Sequence, residues 1–298
     1  MQLKNRNSVA IGYALIAVLM WATVATAFNI ALQELTFIQL LTYSSGISFL
    51  ALTLVLWKTH RFSSLRTISQ NEYINLIFKG LINPFGYYLI LFKAYSLLPA
   101  NEAMILNYTW PVILVVFSAF FLKQQFTKID FLSIILSFIG VVIIATKGNI
   151  FNVKFSNLFG VALALGSSAV WAGYWILNMK NKIDAIIQLW FSFGVGFAAS
   201  IILFIAMGYH VGFSFKALLT SGYIGLFEMS IPFIMWQFAL IRAFNTAVVS
   251  KFVFLSPFFS LMIIALILKE TILLSSIIGF FFIIIGIVLH TFLIKKPR

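Results

Sequence analysis

The chain is written twice. Trp21 recurs as Trp171, Pro84 as Pro232, Pro111 as Pro257, Lys123 as Lys269 and Gly140 as Gly286, at separations of 150, 148, 146, 146 and 146 residues. Each copy holds about five apolar runs long enough to cross the hydrocarbon layer of a bilayer as helices. An odd number of crossings per copy forces the second copy to sit upside down relative to the first. The expected fold is therefore all-α. It is a polytopic membrane protein of ten transmembrane helices, arranged as two inverted five-helix repeats over residues 1–148 and 149–298, together one membrane domain around a central cavity.

Composition supports this without any motif. Hydrophobic residues make up 62% of the chain and charged residues 9%, against about a quarter charged in a soluble domain. Only helices or a closed barrel satisfy the backbone in lipid, and runs of about twenty apolar residues lack the alternation of barrel strands. The net charge of +13 is read as Lys and Arg decorating cytoplasmic loops, not as a nucleic-acid surface. Without cysteine, disulfides and thiolate chemistry are excluded. Lys4 and Arg6 before an apolar stretch, followed by Ala25-Thr26-Ala27, imitate a signal peptide. The run from Val9 is longer than a usual signal core, and its removal would delete the partner of the Trp171 segment, so it is kept as the first span.

The expected spans are 9–32, 36–57, 73–92, 99–121, 129–147, 156–177, 185–208, 217–238, 246–268 and 272–294, with the turn near Gly148–Asn157 joining the copies. With the N-terminus in the cytoplasm, thirteen Lys and Arg fall on inner loops, from Lys4 and Arg6 to Lys295, Lys296 and Arg298. Five fall outside: Lys93, Lys147, Lys154, Lys216 and Lys269. Both termini are expected in the cytoplasm.

The candidate chemistry lies at mid-span. Pro84, Pro111, Pro232 and Pro257 fall near the centres of spans three, four, eight and nine. Each removes a donor and crowds the carbonyl four residues earlier. Such carbonyls at membrane depth need protein or a wet cavity beside them, so these four spans are expected to surround the cavity. Asn83, Asn107, Glu228 and Lys251 are polar residues at depth, where a charge costs about 2.5–3.5 kcal/mol on insertion scales. Glu228 is too short to snorkel, and Lys251 is its nearest candidate partner by depth. Lys79 and Glu102 are read as reaching the interfaces. Trp21, Tyr87, Tyr108, Trp110, Trp171, Trp175 and Trp236 cluster around the same spans. A cavity walled by aromatics and closed by amides suits an amphipathic, flat or cationic organic molecule.

His60, His210 and His290 stand far apart, so neither a metal nor any other cofactor is expected. A phosphate loop and a filter sequence are both absent, which disfavours an ATP-driven machine and a channel.

With these residues in place, the chain resembles the drug/metabolite transporter superfamily, specifically its EamA-type ten-helix members. The matching residues are Trp21-Ala22, Val170-Trp171-Ala172, Ser256-Pro257, Lys269-Glu270, Gly140 and Gly286. The segment Asn107-Tyr108-Thr109-Trp110-Pro111 resembles the Asn-Tyr-x-Trp-Pro stretch of YddG-like exporters of aromatic amino acids and related metabolites. That resemblance implies a basket-shaped bundle whose cavity is bounded by spans one, three, four, six, eight and nine, and export from a bacterial cytoplasm. Two departures stand out. Gln124 replaces the acid of Glu270, and Glu228-Met229 aligns with Lys79-Gly80 in the first copy.

The sequence thus points to a secondary transporter of small organic metabolites, an amino acid first among them, exporting by alternating access. It is expected in the inner membrane of a bacterium, with a small-molecule substrate and the lipid bilayer as partners and a proton as the candidate coupling ion. A multidrug or quaternary-cation exporter is the nearest alternative. A membrane-embedded lipid-modifying enzyme or assembly factor is the alternative of another class, and the lack of clustered catalytic residues argues against it.

Overall fold

In the computed structural model, the residues described are 2–98, 103, 106–149, 157–180, 183–210, 214–268 and 273–293, and every regular element among them is helical. The helices are α1 (Gln2–Leu32), α2 (Phe37–Lys58), α3 (Gln70–Gly80), α4 (Tyr87–Leu97), α5 (Trp110–Leu122), α6 (Lys128–Ala145) and α7 (Leu158–Lys180). They continue with α8 (Ala185–Ala206), α9 (Phe215–Ile224), α10 (Ile231–Arg242), α11 (Ala247–Ser250), α12 (Leu255–Leu268) and α13 (Leu274–Leu293). Wide turns join α3 to α4 (Leu81–Gly86) and α9 to α10 (Gly225–Ser230), and a tight turn joins α11 to α12 (Lys251–Phe254).

Seven stretches among the described residues are long and apolar enough to cross a membrane, and three shorter apolar helices accompany them, Trp110–Leu122, Ala247–Ser260 and Leu274–Leu289. Their outer faces carry large exposed apolar side chains such as Phe120, Ile202 and Phe281, which lipid covers at no cost. The first helix begins at Gln2 rather than Val9, and α4 continues past residue 92 to Leu97. Glu102, Lys154, Lys182, Lys269, Glu270, Lys295, Lys296 and Arg298 lie outside the described residues.

Helix starts follow their sequence. Thr36 with Gln39, Ser69 with Glu72 and Thr127 with Asp130 form reciprocal capping boxes at the N-termini of α2, α3 and α6. These satisfy amides that lipid would leave unpaired. Asp184 and Ser214 cap α8 and α9 with single side chains.

Two antiparallel pairs tie the halves together. In one, α2 lies against α8: Gln39 meets the His210 carbonyl, Thr42 meets that of Ser200, and Trp190 donates to Thr53 at 2.8 Å. Arg61 pairs with Asp184 at one end. Glu34 pairs with Lys216 at 3.1 Å at the other. The Ser214 hydroxyl, and then Lys216, hold the exposed Glu34 carboxyl below its ordinary range. In the other pair, α6 lies against α13, with backbones so close that a Cβ on Gly279 would stand 2.6 Å from the Gly140 carbonyl oxygen. Ser137 donates to the Ile283 carbonyl at 3.4 Å along the same seam.

The register of these contacts is matched between the halves. Gly80 sits on the Ser192 carbonyl and Val195 of α8, and Gly225 sits on the Ser44 carbonyl and Ile47 of α2. Gly46 lies under the Phe197 ring, and Gly194 under that of Phe49. The wide turns therefore begin at corresponding points, and the residue three beyond each glycine is Asn83 in one half and Glu228 in the other. The sequence alignment of the copies pairs Glu228-Met229 with Lys79-Gly80 instead. The packing corrects that, because Pro84 lies inside its turn whereas Pro232 follows its own.

Candidate functional site

Breaking a helix inside a bilayer frees carbonyls, and the chain supplies donors for them from α1 and α7. The carbonyl four residues before Pro232 belongs to Glu228, and the Trp21 indole donates to it at 3.2 Å. The carbonyl four residues before Pro111 belongs to Asn107. Ser168 of α7 donates to it at 2.9 Å, and its hydroxyl also lies 3.1 Å from the Leu106 carbonyl. Pro111 and Pro232 occupy the first turns of α5 and α10, where a missing N–H costs nothing. Pro257 is likewise in the first turn of α12. Pro84 alone falls inside a turn, between α3 and α4. Thus two of the freed carbonyls are met by side chains of neighbouring helices rather than by water. Ser168→Ala should leave the Asn107 carbonyl short of a donor, the Leu106 carbonyl keeping those of Thr109, and lower the detergent-state stability by about 1–3 kcal/mol. The thermal midpoint measures this, and Ser168→Thr should restore most of the loss.

The predicted aromatics meet at one place. Trp21 of α1, Trp110 of α5, Trp171 of α7 and Trp236 of α10 pack on one another with ring centroids 5.4 to 6.4 Å apart. Tyr87 lies 4.5 Å from Trp171, and Trp175 lies 5.7 Å from it. Most contacts are edge-to-face, the arrangement ring quadrupoles favour. The sequence reading stood these side chains apart as walls; here the indoles touch. Trp171, Trp175 and Trp236 are buried, and their indole N–H groups have no hydrogen-bond acceptor among the described residues. Such donors cost free energy where they stand, and a ligand with acceptors would relieve that.

Glu228 borders this cluster. Tyr88 donates to its carboxyl at 2.9 Å, and the Tyr87 ring lies 4.8 Å from that of Tyr88. Asn83, at the corresponding point of the other half, is fully buried with neither amide atom hydrogen-bonded. Asn107 lies 3.5 Å from both the Tyr87 hydroxyl and Ser167. Tyr108 is half-buried beside it.

Lys251 lies elsewhere. Its ammonium donates to the Ile287 carbonyl of α13 at 3.3 Å, with Asp130 of α6 within electrostatic reach. The structure does not pair it with Glu228. Lys79, expected at an interface, is fully buried and donates to Gln188 of α8 at 2.9 Å. Sequence reasoning missed Ser168, Gln188 and Phe233, whose ring bridges Trp171 and Trp175 at 5.2 and 5.3 Å. Serine and phenylalanine are too common in apolar helices to stand out. Gln188 had a signal, since it follows the Asp184 cap by one turn at membrane depth. Among the described residues no group of three or more His, Asp or Glu side chains could hold a metal.

Comparison with known proteins fits this arrangement. The model of the EamA-like transporter family matches residues 8–146 and 158–292. The chain belongs to the EamA-like transporter family. An uncharacterized transporter of Clostridium kluyveri is 31% identical over 207 residues, 67% of this chain and 66% of that one, so the match spans just under two thirds of that relative. An uncharacterized transporter of Archaeoglobus fulgidus is 25% identical over 250 residues, 82% of this chain and 84% of the other. A solved crystal structure of a protein 20% identical superposes with a TM-score of 0.82, covering 96% of this chain and 97% of that one, which establishes a shared fold. Its seven stretches long and apolar enough to cross a membrane and its apolar outer faces fit a membrane protein of that family.

Proposed function

We propose that the protein is a secondary transporter that exports a small organic metabolite, an amino acid first among candidates, by alternating access. The observation that carries this reading is the pair of wide turns at matching points, Leu81–Gly86 and Gly225–Ser230. They bring Asn83 and Glu228 to corresponding points of the two halves, and Glu228 borders a tryptophan cluster with unsatisfied indole donors. In this reading the three shorter apolar helices join the seven longer ones as ten crossings. Residues 1–148 and 149–298 form inverted repeats, supported by the antiparallel packing of α2 on α8 and α6 on α13 and by the two family matches. Both termini face the cytoplasm of a bacterial inner membrane, as the Lys and Arg bias suggests.

The substrate would displace the mutual contacts of Trp21, Trp110, Trp171 and Trp236, using Trp175 and Tyr87 as further ring faces. Asn107, Tyr108 and Asn83 would supply hydrogen bonds. Glu228 would carry either the substrate's positive group or a coupling proton. The likeness of the Asn107–Pro111 segment to aromatic amino-acid exporters supports a substrate with a flat face. The decisive experiment is uptake and exchange of labelled amino acids by proteoliposomes holding the purified protein. No saturable flux and no binding across a broad metabolite panel would overturn the reading.

Glu228→Gln separates the two roles of the acid. The amide keeps a hydrogen bond to Tyr88 but cannot release a proton. If the acid carries the coupling proton, exchange by this variant loses its pH dependence between about pH 5 and 8 with affinity within a few-fold of the parent; if it holds the substrate's positive group, affinity falls instead. A pH profile identical to the parent's would remove Glu228 from coupling. A second reading, export of organic cations, is favoured by one observation: Glu228 stands against Tyr88 and next to Tyr87. A carboxylate bordered by rings is a cation's site. Resistance to toxic quaternary amines on overexpression would support it.

A further inference from the structure

The junction of α3, α7 and α8 holds six buried polar side chains in three pairs, each pair spaced four residues apart. They are Lys79 and Asn83, Tyr174 and Asn178, and Gln188 and Ser192. Lys79 donates to Gln188 at 2.9 Å, and the Tyr174 hydroxyl faces Asn178 and Ser192. The corresponding junction of the other half keeps polar groups at the points matching Asn83 and Ser192, which are Glu228 and Ser44, but has none where Lys79, Gln188 and Tyr174 stand. One residue before Gly225 stands Ile224, where Lys79 precedes Gly80. Four before Ser44 stands Leu40, where Gln188 precedes Ser192. Three beyond Trp21 stands Val24, where Tyr174 follows Trp171. Ile224, Leu40 and Val24 are all buried. At these three positions the other half therefore packs with aliphatic side chains, so packing does not demand Lys79, Gln188 and Tyr174 there.

Among the described residues no carboxylate pairs with Lys79, and the neutral Gln188 oxygen is its one hydrogen-bond partner. A buried ammonium without an anion is costly, and an arriving anion would remove that cost. Asn83, four residues on, offers an amide with both atoms unsatisfied. We propose that Lys79, with Gln188 and Asn83, forms a subsite for the carboxylate of the transported metabolite. It lies in the half of the bundle that ends at Arg61 and Asp184. The inference rests on the carrier reading above and names the chemistry it selects. The opposite charge, Glu228, sits at the point matching Asn83, so a substrate with an amino and a carboxylate group would find both poles. Lys251, already held by Ile287 and near Asp130, is not part of it.

The test uses the full-length protein in detergent and in proteoliposomes. Thermal-shift titration against the twenty amino acids, matching carboxylates without the amino group, matching amides and amines, sodium chloride and sodium phosphate finds which probes bind. Carboxylate-bearing probes are expected to bind, and their amides to bind roughly tenfold to hundredfold more weakly, as loss of a charged hydrogen bond implies. Lys79→Met should erase that discrimination while leaving the ligand-free midpoint equal or higher, and Lys79→Arg should retain a preference for carboxylates. Unchanged discrimination in Lys79→Met overturns the subsite. So does a parent protein that binds only amines and amides, and so does equal protection by chloride or phosphate; in these three cases the carrier reading stands. A protein that neither binds nor moves any probe overturns both.

Discussion

Truncating Trp171 to alanine is expected to destabilise the protein by roughly 3–5 kcal/mol, the range for removing a large buried aromatic, and to abolish flux. Trp171 touches Trp21, Trp110, Tyr87, Trp175 and Phe233 through rings 4.5 to 6.1 Å away. No other ring in the cluster joins as many helices. Its loss would open a void lined by rigid rings on four sides, which cannot collapse as aliphatic chains can. Trp171→Phe should recover most of the stability but not the affinity, because the indole N–H without a partner is the group offered to a ligand. Trp57, 64% exposed on α2, serves as the control. Trp57→Ala should change the midpoint and the flux little. A Trp171→Ala protein with parental flux would show that the cluster is packing alone.

Gly140→Val should markedly destabilise the folded protein. The α6 and α13 backbones approach within the space of one methyl group at Gly140 and Gly279, and Gly286 lies equally close to the Ser133 carbonyl. Small residues allow such contact in membranes, where packing and not hydrophobicity drives association. A valine there would push against the Gly279 carbonyl, the Ile283 backbone and the branched Ile283 side chain. The cost is roughly 3 kcal/mol, at the upper end of ordinary overpacking, because two helices must separate along their length. Size-exclusion profiles and thermal midpoints of detergent extracts read the effect. Gly12→Val is the matched control, since nothing stands within 4 Å of a Cβ at Gly12. Monodisperse, stable Gly140→Val protein would mean that the seam does not hold in solution.

Much of this was legible in the chain. The helices and their capping signals, such as Thr36 with Gln39, follow from hydrophobic run length and local chemistry, which are one-dimensional properties. Repeat matching relates Trp21 to Trp171, and the kinked spans place Trp110 and Trp236 around the same region, but the contact of the four rings is not legible in the chain. What failed was register. Aligning the copies by sequence places Glu228-Met229 opposite Lys79-Gly80, but the halves align through close contacts of Gly80 and Gly225 with the facing helix. A glycine's role in contact depends on what faces it, and the sequence does not say. Depth also misled. Depth assigns Lys79 to an interface and Lys251 to Glu228, yet one turns to Gln188 and the other to Ile287. Side-chain direction around a helix that is apolar on all faces has no periodic signal to read. The freed carbonyls were foreseen, but not that Ser168 and Trp21 would cover them.

The seam between α6 and α13 has a mechanical consequence. Two backbones locked glycine against carbonyl cannot slide past each other without first prising apart, whereas α3–α4 and α9–α10 each contain a jointed turn. Whatever excursion the protein makes, this doublet must serve as its stationary spine, and the jointed rods must swing about it. Spectroscopic labels on Phe131 and Val288 should keep a fixed spacing across all states, while labels on α4 and α10 should not.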